Sequence, residues 1–381
     1  MDPRDYVLSN ATLVLRDHVV ANGWVAVSDG RIVEIGEGAG PEKGLDLGGD
    51  TLIPGLVELH TDHLELHYKP RPAVEWPAVS AVLAYDAQIA GSGITTVFDS
   101  LRAGQEDRRD AVTNSLEILA DALDEARARN LLRAEHLTHL RCEICTPDVI
   151  EVTKAFLAKR PIHLMSLMDH TPGQRQFRDV EKFLVYYRGK TSLTEAELQQ
   201  LVSRRIEENE RYGVANRRAL VAIAQANKVS LASHDDATLE HVAESRADGV
   251  SIAEFPTTVE AAEASHAAGI GVLMGAPNLV RGGSHSGNVA AEELARLGML
   301  DIFSSDYVPA SLIHAAFDLH RRVPSITLPD AVATVTDNPA QSAGLADRGR
   351  IEVGLRADLV RVTQGDLPAV RAVWREGRRV S

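Results

Sequence analysis

Residues 54–67 read PGLVELHTDHLELH, an apolar run that opens on Pro-Gly and closes on three histidines and three carboxylates. The first half has the texture of a buried strand. In an extended chain residues i and i+2 share a face. His60 and Asp62 therefore point together, Thr61 points away, and His63 falls out of phase if the strand reaches it. Imidazole nitrogen and carboxylate oxygen held on a rigid frame are the donors that bind divalent cations.

Seven further runs of similar texture follow the first, LIPGLVELH (52–60). They are GITTVFDS (93–100), LRAEHLTHLRCEI (132–144), IHLMSLMDH (162–170), VSLASHDD (229–236), GVSIAEFP (249–256), GIGVLMGAP (269–277) and LDIFSSDYVP (300–309). Helical stretches separate them, the pattern of a parallel sheet made from βα units. Eight such units close a (β/α)8 barrel, so the expected class is α/β with a TIM-like barrel. The runs end on His60, Asp99, Glu143, Asp169 with His170, His234, Glu254, Asn278 and Asp306. A barrel would gather them on one rim, where barrel enzymes keep their active sites. Helix capping accounts for Asp99 and Asp235 but not for three histidines at strand ends.

Both termini are β-rich. Residues 5–50 read as short strands with an Asp29-Gly30 hairpin turn, and the segments GRIEVGLRADLVRVTQGD and AVRAVWREGRRV near the other end match them in texture. Residues 1–52 and 345–381 are expected to form one small β-sandwich, and 53–344 the barrel. A charged helical insertion spans about 171–227, with a capping signal at Ser192 followed by Glu195. It is a candidate lid or homodimer surface, or a solvated excursion. After the seventh run, APNLVRGGSHSGN (276–288) combines Arg281 with Gly282, Gly283, His285 and Gly287. Such a loop can cradle phosphate through backbone N–H groups and a guanidinium fork, although Gly/Ser clusters also mark ordinary loops. Lys69, Arg71, Arg102, Arg175 and Arg178 are further cations that sequence does not rank.

Across 381 residues, 54 acidic against 40 basic side chains give a net charge of −14, which disfavours nucleic acid as a partner. The chain has no apolar run of about 18 residues and no signal pattern at MDPRDYVLSN. A cytoplasmic protein with no membrane partner is expected. Cys142 and Cys145, in RCEIC, read as reduced thiols near a buried strand.

LIPGLVELHTD resembles the first-strand signature of the amidohydrolase superfamily, Pro-Gly, three residues, then His-x-His. TDNPAQSAGLADRGRIEVGLRADLV (336–360) resembles its C-terminal signature. More closely, ELHTDHLE, MDHTPGQ, SHDDAT and GAPNLVRGGSHSGN resemble the ribosyl triphosphate diphosphatases of the carbon–phosphorus lyase pathway within that superfamily.

The resemblance implies a hydrolase with two divalent ions (Zn, Mn, Fe or Mg) and a small phosphorylated sugar, alpha-D-ribose 1-methylphosphonate 5-triphosphate, as substrate. The implied ligands are His60, Asp62, Glu143, His170, His234 and Asp306, with Asp306 also taking a proton. Asp62 makes the signature His-x-Asp, which favours harder ions such as Mn or Mg over Zn. Glu143 stands in for the strand-four lysine that IHLMSLMDH lacks, and the sixth run offers no histidine. Arg281, Gly282, Gly283, His285 and His63 become candidate substrate contacts. His67 reads as a substrate-facing or surface residue, and His139 as a core residue or a support for a ligand. Two alternatives remain: hydrolysis of a C–N bond on the same barrel, and a non-catalytic binding homologue.

Overall fold

The protein is described here from a computed structural model, in residues 5–41, 44–71, 73–104, 115–175, 180–181, 183–184, 188, 193–284, 287–363, 365 and 367–381. Five short strands near the N-terminus cannot close a core by themselves, and residues from the other end of the chain complete it. Strands β1 (Tyr6–Val14), β2 (Val19–Ser28), β3 (Arg31–Glu37), β4 (Leu45–Asp46) and β5 (Thr51–Pro54) begin one sheet.

The barrel strands follow: β6 (Leu56–Thr61), β7 (Ile94–Ala103), β8 (Glu135–Glu143), β9 (Leu164–Met168), β10 (Ser230–His234), β11 (Ile252–Glu254), β12 (Gly271–Gly275) and β13 (Ile302–Ser304). Then β14 (Leu359–Thr363), β15 (Ala369–Arg375) and β16 (Arg378–Arg379) return to the first sheet. Its order is β16-β15-β14-β5-β1-β2-β3 with β4 beside β1. Leu8, Leu13, Val25, Val27, Ile32, Leu52, Leu359 and Trp374 form its own core. The β2–β3 turn uses Asp29 and Gly30, both at positive φ (47° and 78°), as a two-residue hairpin turn with right-handed strand twist demands.

Each of the eight apolar runs contains one barrel strand, and the order β13 to β6 is sequential and parallel. The run 52–60, expected as a single strand, is two: β5 belongs to the terminal sheet and β6 to the barrel. Gly55 makes the passage, and a Cβ there would stand 2.2 Å from Thr95 Oγ1. A continuous apolar run carries no mark of where one sheet hands over to another.

The seam between first and last strands closes through side chain and backbone together. Glu58 accepts from His60 N (2.7 Å) and from Ser305 N (2.6 Å). Asp306 N donates to His60 O (3.1 Å), and Asp62 N donates to Asp306 O (3.3 Å). Val57, Leu59, Phe98, Leu164, Ala232, Ile252, Leu273 and Ile302, joined by Leu137, pack together with at least one residue from every barrel strand. The larger cluster joins the outer faces of strands to the surrounding helices. The architecture is α/β, a (β/α)8 barrel with a small β-sandwich built from both termini.

In the insertion, helix Glu195–Glu208 begins at Thr194, whose hydroxyl and Glu197 form a reciprocal capping box. The cap is therefore not the expected pair: Ser192 lies outside the described residues, and Glu195 bonds Arg188 (2.9 Å) instead. A π turn, Asn209–Gly213, leads into helix Val214–Asn227. From that helix Asn216 donates to the carbonyls of Ile144 (2.9 Å) and Thr146 (2.8 Å), pinning the insertion to the loop after β8. Among the described residues no helix is long and apolar enough to cross a membrane.

Candidate metal centre

Strand β8 supplies the site by alternation. His139, Arg141 and Glu143 stand at i, i+2 and i+4 and so share a face, while Leu140 and Cys142 join the apolar cluster behind the sheet. His139 is fully buried. Its Nδ1–H donates to Leu59 O (2.9 Å), which fixes the tautomer and turns the Nε2 lone pair toward Glu254 Oε1, 3.7 Å away. Ser166 Oγ donates to Glu254 Oε2 (2.6 Å) and lies 2.5 Å from that Nε2. Burial pushes the His139 imidazole down to about 3, keeping it neutral.

Glu254, at the end of β11, gathers the histidines. Its Oε1 is 2.9 Å from His60 Nδ1 and its Oε2 is 3.1 Å from His234 Nδ1. Burial alone would raise this carboxyl, but His60 and His139 outweigh it and hold Glu254 well below the usual carboxylate range. Phe255, the next residue, packs edge-on against the rings of His60 and His234. The result is an ionised, fully buried carboxylate ringed by imidazoles.

Among the described residues, two groups of donors are close enough to share an ion: His60, His139 and Glu254, and beside them His170, His234 and Asp235. In each, the donor atoms lie within 4.8 Å of one another. The rings of His60 and His234 stack at 5.5 Å between centroids, which sets the two groups side by side. Borderline imidazole and hard carboxylate donors, dehydrated and with their charge held, suit a divalent cation.

Four expected ligands fall into or beside these groups in different ways. His60, His170 and His234 belong to them. Glu143 grips His170, with Oε2 2.6 Å from His170 Nδ1 and Oε1 accepting from His170 N at 3.0 Å. Asp62 and Asp306 lie outside both groups. Asp62 Oδ2 is 3.2 Å from Arg141 Nη1. Burial would raise the Asp62 carboxyl, yet Arg141, His60 and Arg102 together hold it below its ordinary value. Asp306, at φ 54°, is pushed up to about 7 by burial and by the Asp62 charge.

Three members of the groups, His139, Glu254 and Asp235, were not among the expected ligands. The same-face spacing His139-x-Arg141-x-Glu143 carried a signal for the first. Glu254 ends its run as the other candidates do. Asp235 and Asp99 do not cap helices as expected: Thr238 caps the helix after β10, Asp235 Oδ2 sits 3.3 Å from His234 Nε2, and Asp99 pairs with His136 outside the donor groups (2.9 Å). His63 and His67 both approach Gln88 Oε1, at 3.1 and 2.9 Å. Both cysteines are buried and form no disulfide, and burial pushes the Cys142 thiol up to about 12.

Past β12, the helix Ala276–Arg281 ends at Gly282 and places Arg281 in solvent. Gly282 and Gly283 take φ of 82° and 147°, with open space where a Cβ would stand. These glycines serve backbone conformation rather than close packing. His285 lies outside the described residues, as does Arg178.

The pattern of the "Amidohydrolase family" matches residues 87–381. The chain belongs to the amidohydrolase family. Alpha-D-ribose 1-methylphosphonate 5-triphosphate diphosphatase of Escherichia coli (strain K12) is 50% identical to this amidohydrolase over 382 residues, covering 98% of this chain and 100% of that protein. Among solved structures, N-acetyl-D-glucosamine-6-phosphate deacetylase from Mycobacterium smegmatis superposes with a TM-score of 0.64 at 18% identity, covering 99% of this chain and 100% of that one. A 5-methylcytosine deaminase from Klebsiella pneumoniae does so at 0.65 and 17%, covering 98% of each. At that identity the structural matches establish the shared amidohydrolase fold and nothing about substrate.

Proposed function

We infer that this amidohydrolase is a metal-dependent diphosphatase. It hydrolyses alpha-D-ribose 1-methylphosphonate 5-triphosphate to the corresponding 5-phosphate and pyrophosphate, in phosphonate catabolism. The observation that carries the reading is the 50% identity to the Escherichia coli diphosphatase along essentially the whole of both chains. The C–N alternative has only the fold in its favour.

His60, His139 and Glu254 would hold one divalent ion, and His170, His234 and Asp235 a second, with Asp62, Glu143 and Asp306 at their margins. Ions there would supply polarisation of a phosphoryl oxygen and a lowered pKa for water. Asp306 takes the proton of the attacking water. A carboxyl raised to about 7 is matched to that exchange near neutral pH. Glu143 and Leu59 O orient His170 and His139 so that each presents one nitrogen. Arg281, Gly282, Gly283 and His285 meet the charge that grows on the departing pyrophosphate.

Hydrolysis in ¹⁸O-water tests the bond assignment. The label is expected in the ribosyl 5-phosphate, from attack at the α-phosphorus. Label in pyrophosphate, or release of orthophosphate, would contradict this placement of donors and loop.

A further inference from the structure

His63 and His67 stand four residues apart, a helical spacing that sets two imidazoles on one face. His63 already has helical backbone angles (φ −64°, ψ −21°) and leads into helix Leu64–Tyr68, which carries His67. The ring centroids are 5.2 Å apart. Both Nε2 atoms converge on one atom of the next helix, Ala78–Gly91: Gln88 Oε1 lies 3.1 Å from His63 Nε2 and 2.9 Å from His67 Nε2. Tyr85, one turn earlier on that helix and fully buried, backs the His67 ring at 5.9 Å. Gln88 is exposed and both histidines are half-buried, so solvent and its ions reach the cluster. The reaction proposed above uses none of these three side chains, and they stand apart from both donor groups.

Two N–H groups sharing one amide oxygen account for the contacts in the ion-free chain. The same three atoms are also Lewis bases that two packed helices bring to one point. Ligands at about 2.0–2.2 Å from a tetrahedral ion lie about 3.3–3.6 Å from one another, so each imidazole need part from the amide oxygen by only about half an ångström. Burial holds the His67 imidazole below its ordinary pKa, against the Gln88 contact, and the neutral ring is the form that binds metal. His63 Nδ1 is buried without a hydrogen bond, so no second contact opposes the proton shift that coordination through Nε2 requires. We propose that His63, His67 and Gln88 form a separate cation site for a late first-row divalent ion such as Zn²⁺, with water completing the coordination. Two imidazoles and a neutral amide oxygen, without a carboxylate, select against Mg²⁺ and Mn²⁺. An ion there ties the segment that follows Asp62 to helix Ala78–Gly91. The site does not depend on the diphosphatase reading.

The test is equilibrium dialysis of the full chain against rising Zn²⁺, with and without excess Mg²⁺, and zinc per chain read by elemental analysis. His67→Ala is expected to weaken one step of zinc uptake at least about tenfold and to leave the other steps as they are in the wild type. Gln88→Glu exchanges the amide for a carboxylate of the same length, and should tighten that same step about tenfold through the added charge. It also carries the comparison should His67→Ala fail to fold. Excess Mg²⁺ should not compete at this step. Identical zinc uptake by wild type and both variants overturns the site, as does displacement of the zinc by Mg²⁺. Loss of every zinc step together in His67→Ala would place that histidine with the donor groups and overturns it equally.

Discussion

His60 Nδ1 lies 2.9 Å from Glu254 Oε1, tying the first barrel strand to the sixth across the interior. The same carboxylate reaches His234 through its other oxygen (3.1 Å). A side chain fully buried among three imidazoles is poorly explained as packing. Its ionised form is sustained by those rings, and a cation between them would complete the arrangement.

Glu254→Gln keeps the shape and removes the charge. Metal bound per chain, read by elemental analysis after dialysis, is expected to fall well below the wild-type level, proposed to be two, and kcat/KM to fall at least ~10²-fold. Chelation of the wild type should abolish turnover and added divalent ions restore it. Full activity in a metal-free preparation would refute the assignment.

Asp306→Asn removes the proposed proton acceptor. The expected cost in kcat is about 10² to 10⁴, the range for a lost general base, with most of the metal retained. The acidic limb of the wild-type pH–rate profile, where activity rises as Asp306 loses its proton, should vanish in the variant. Near-normal turnover would assign the proton to another group.

Arg281→Ala should raise KM and lower kcat/KM for triphosphates more than for a monophosphate ester, since the lost contacts lie on the distal phosphates. Parallel losses on both would move Arg281 out of the pyrophosphate subsite.

Away from the site, His136 sits between Asp86 (3.2 Å) and Asp99 (2.9 Å). Burial would lower its pKa, but the two carboxylates prevail and raise it from 6.5 to about 9. The folded state thus holds this proton more tightly than the unfolded chain. The stabilisation is complete below pH 6.5 and is lost as pH rises through 9, a contribution of about 3 kcal/mol. Urea unfolding of His136→Gln should show a shallower loss of stability across that window than the wild type. Identical slopes would mean that His136 is neutral in the fold.

The barrel was legible because each strand is a short apolar run closed by a polar residue, a signal that survives without tertiary information. Three members of the candidate donor groups, His60, His170 and His234, were legible for the same reason. His139 and Arg141 were harder: each lies inside its strand, where alternation says that they share a face but not whether the face is core or cavity. Asp62 illustrates the opposite limit. Its position beside His60 follows from the sequence, whereas its partner Arg141 comes from 79 residues away, and only the closed sheet brings the two together.

Strand β5 is fully buried between β1, made before it, and β14, made about 300 residues later. During synthesis at about 5–20 residues per second, its outer edge waits some tens of seconds for a partner while the whole barrel emerges. An unpaired edge is a template for foreign strands. For the nascent chain, a segment made after the whole barrel is thus what shields the first sheet from its neighbours, and a stop codon ahead of Leu359 would produce an aggregation-prone species even with every barrel strand in place.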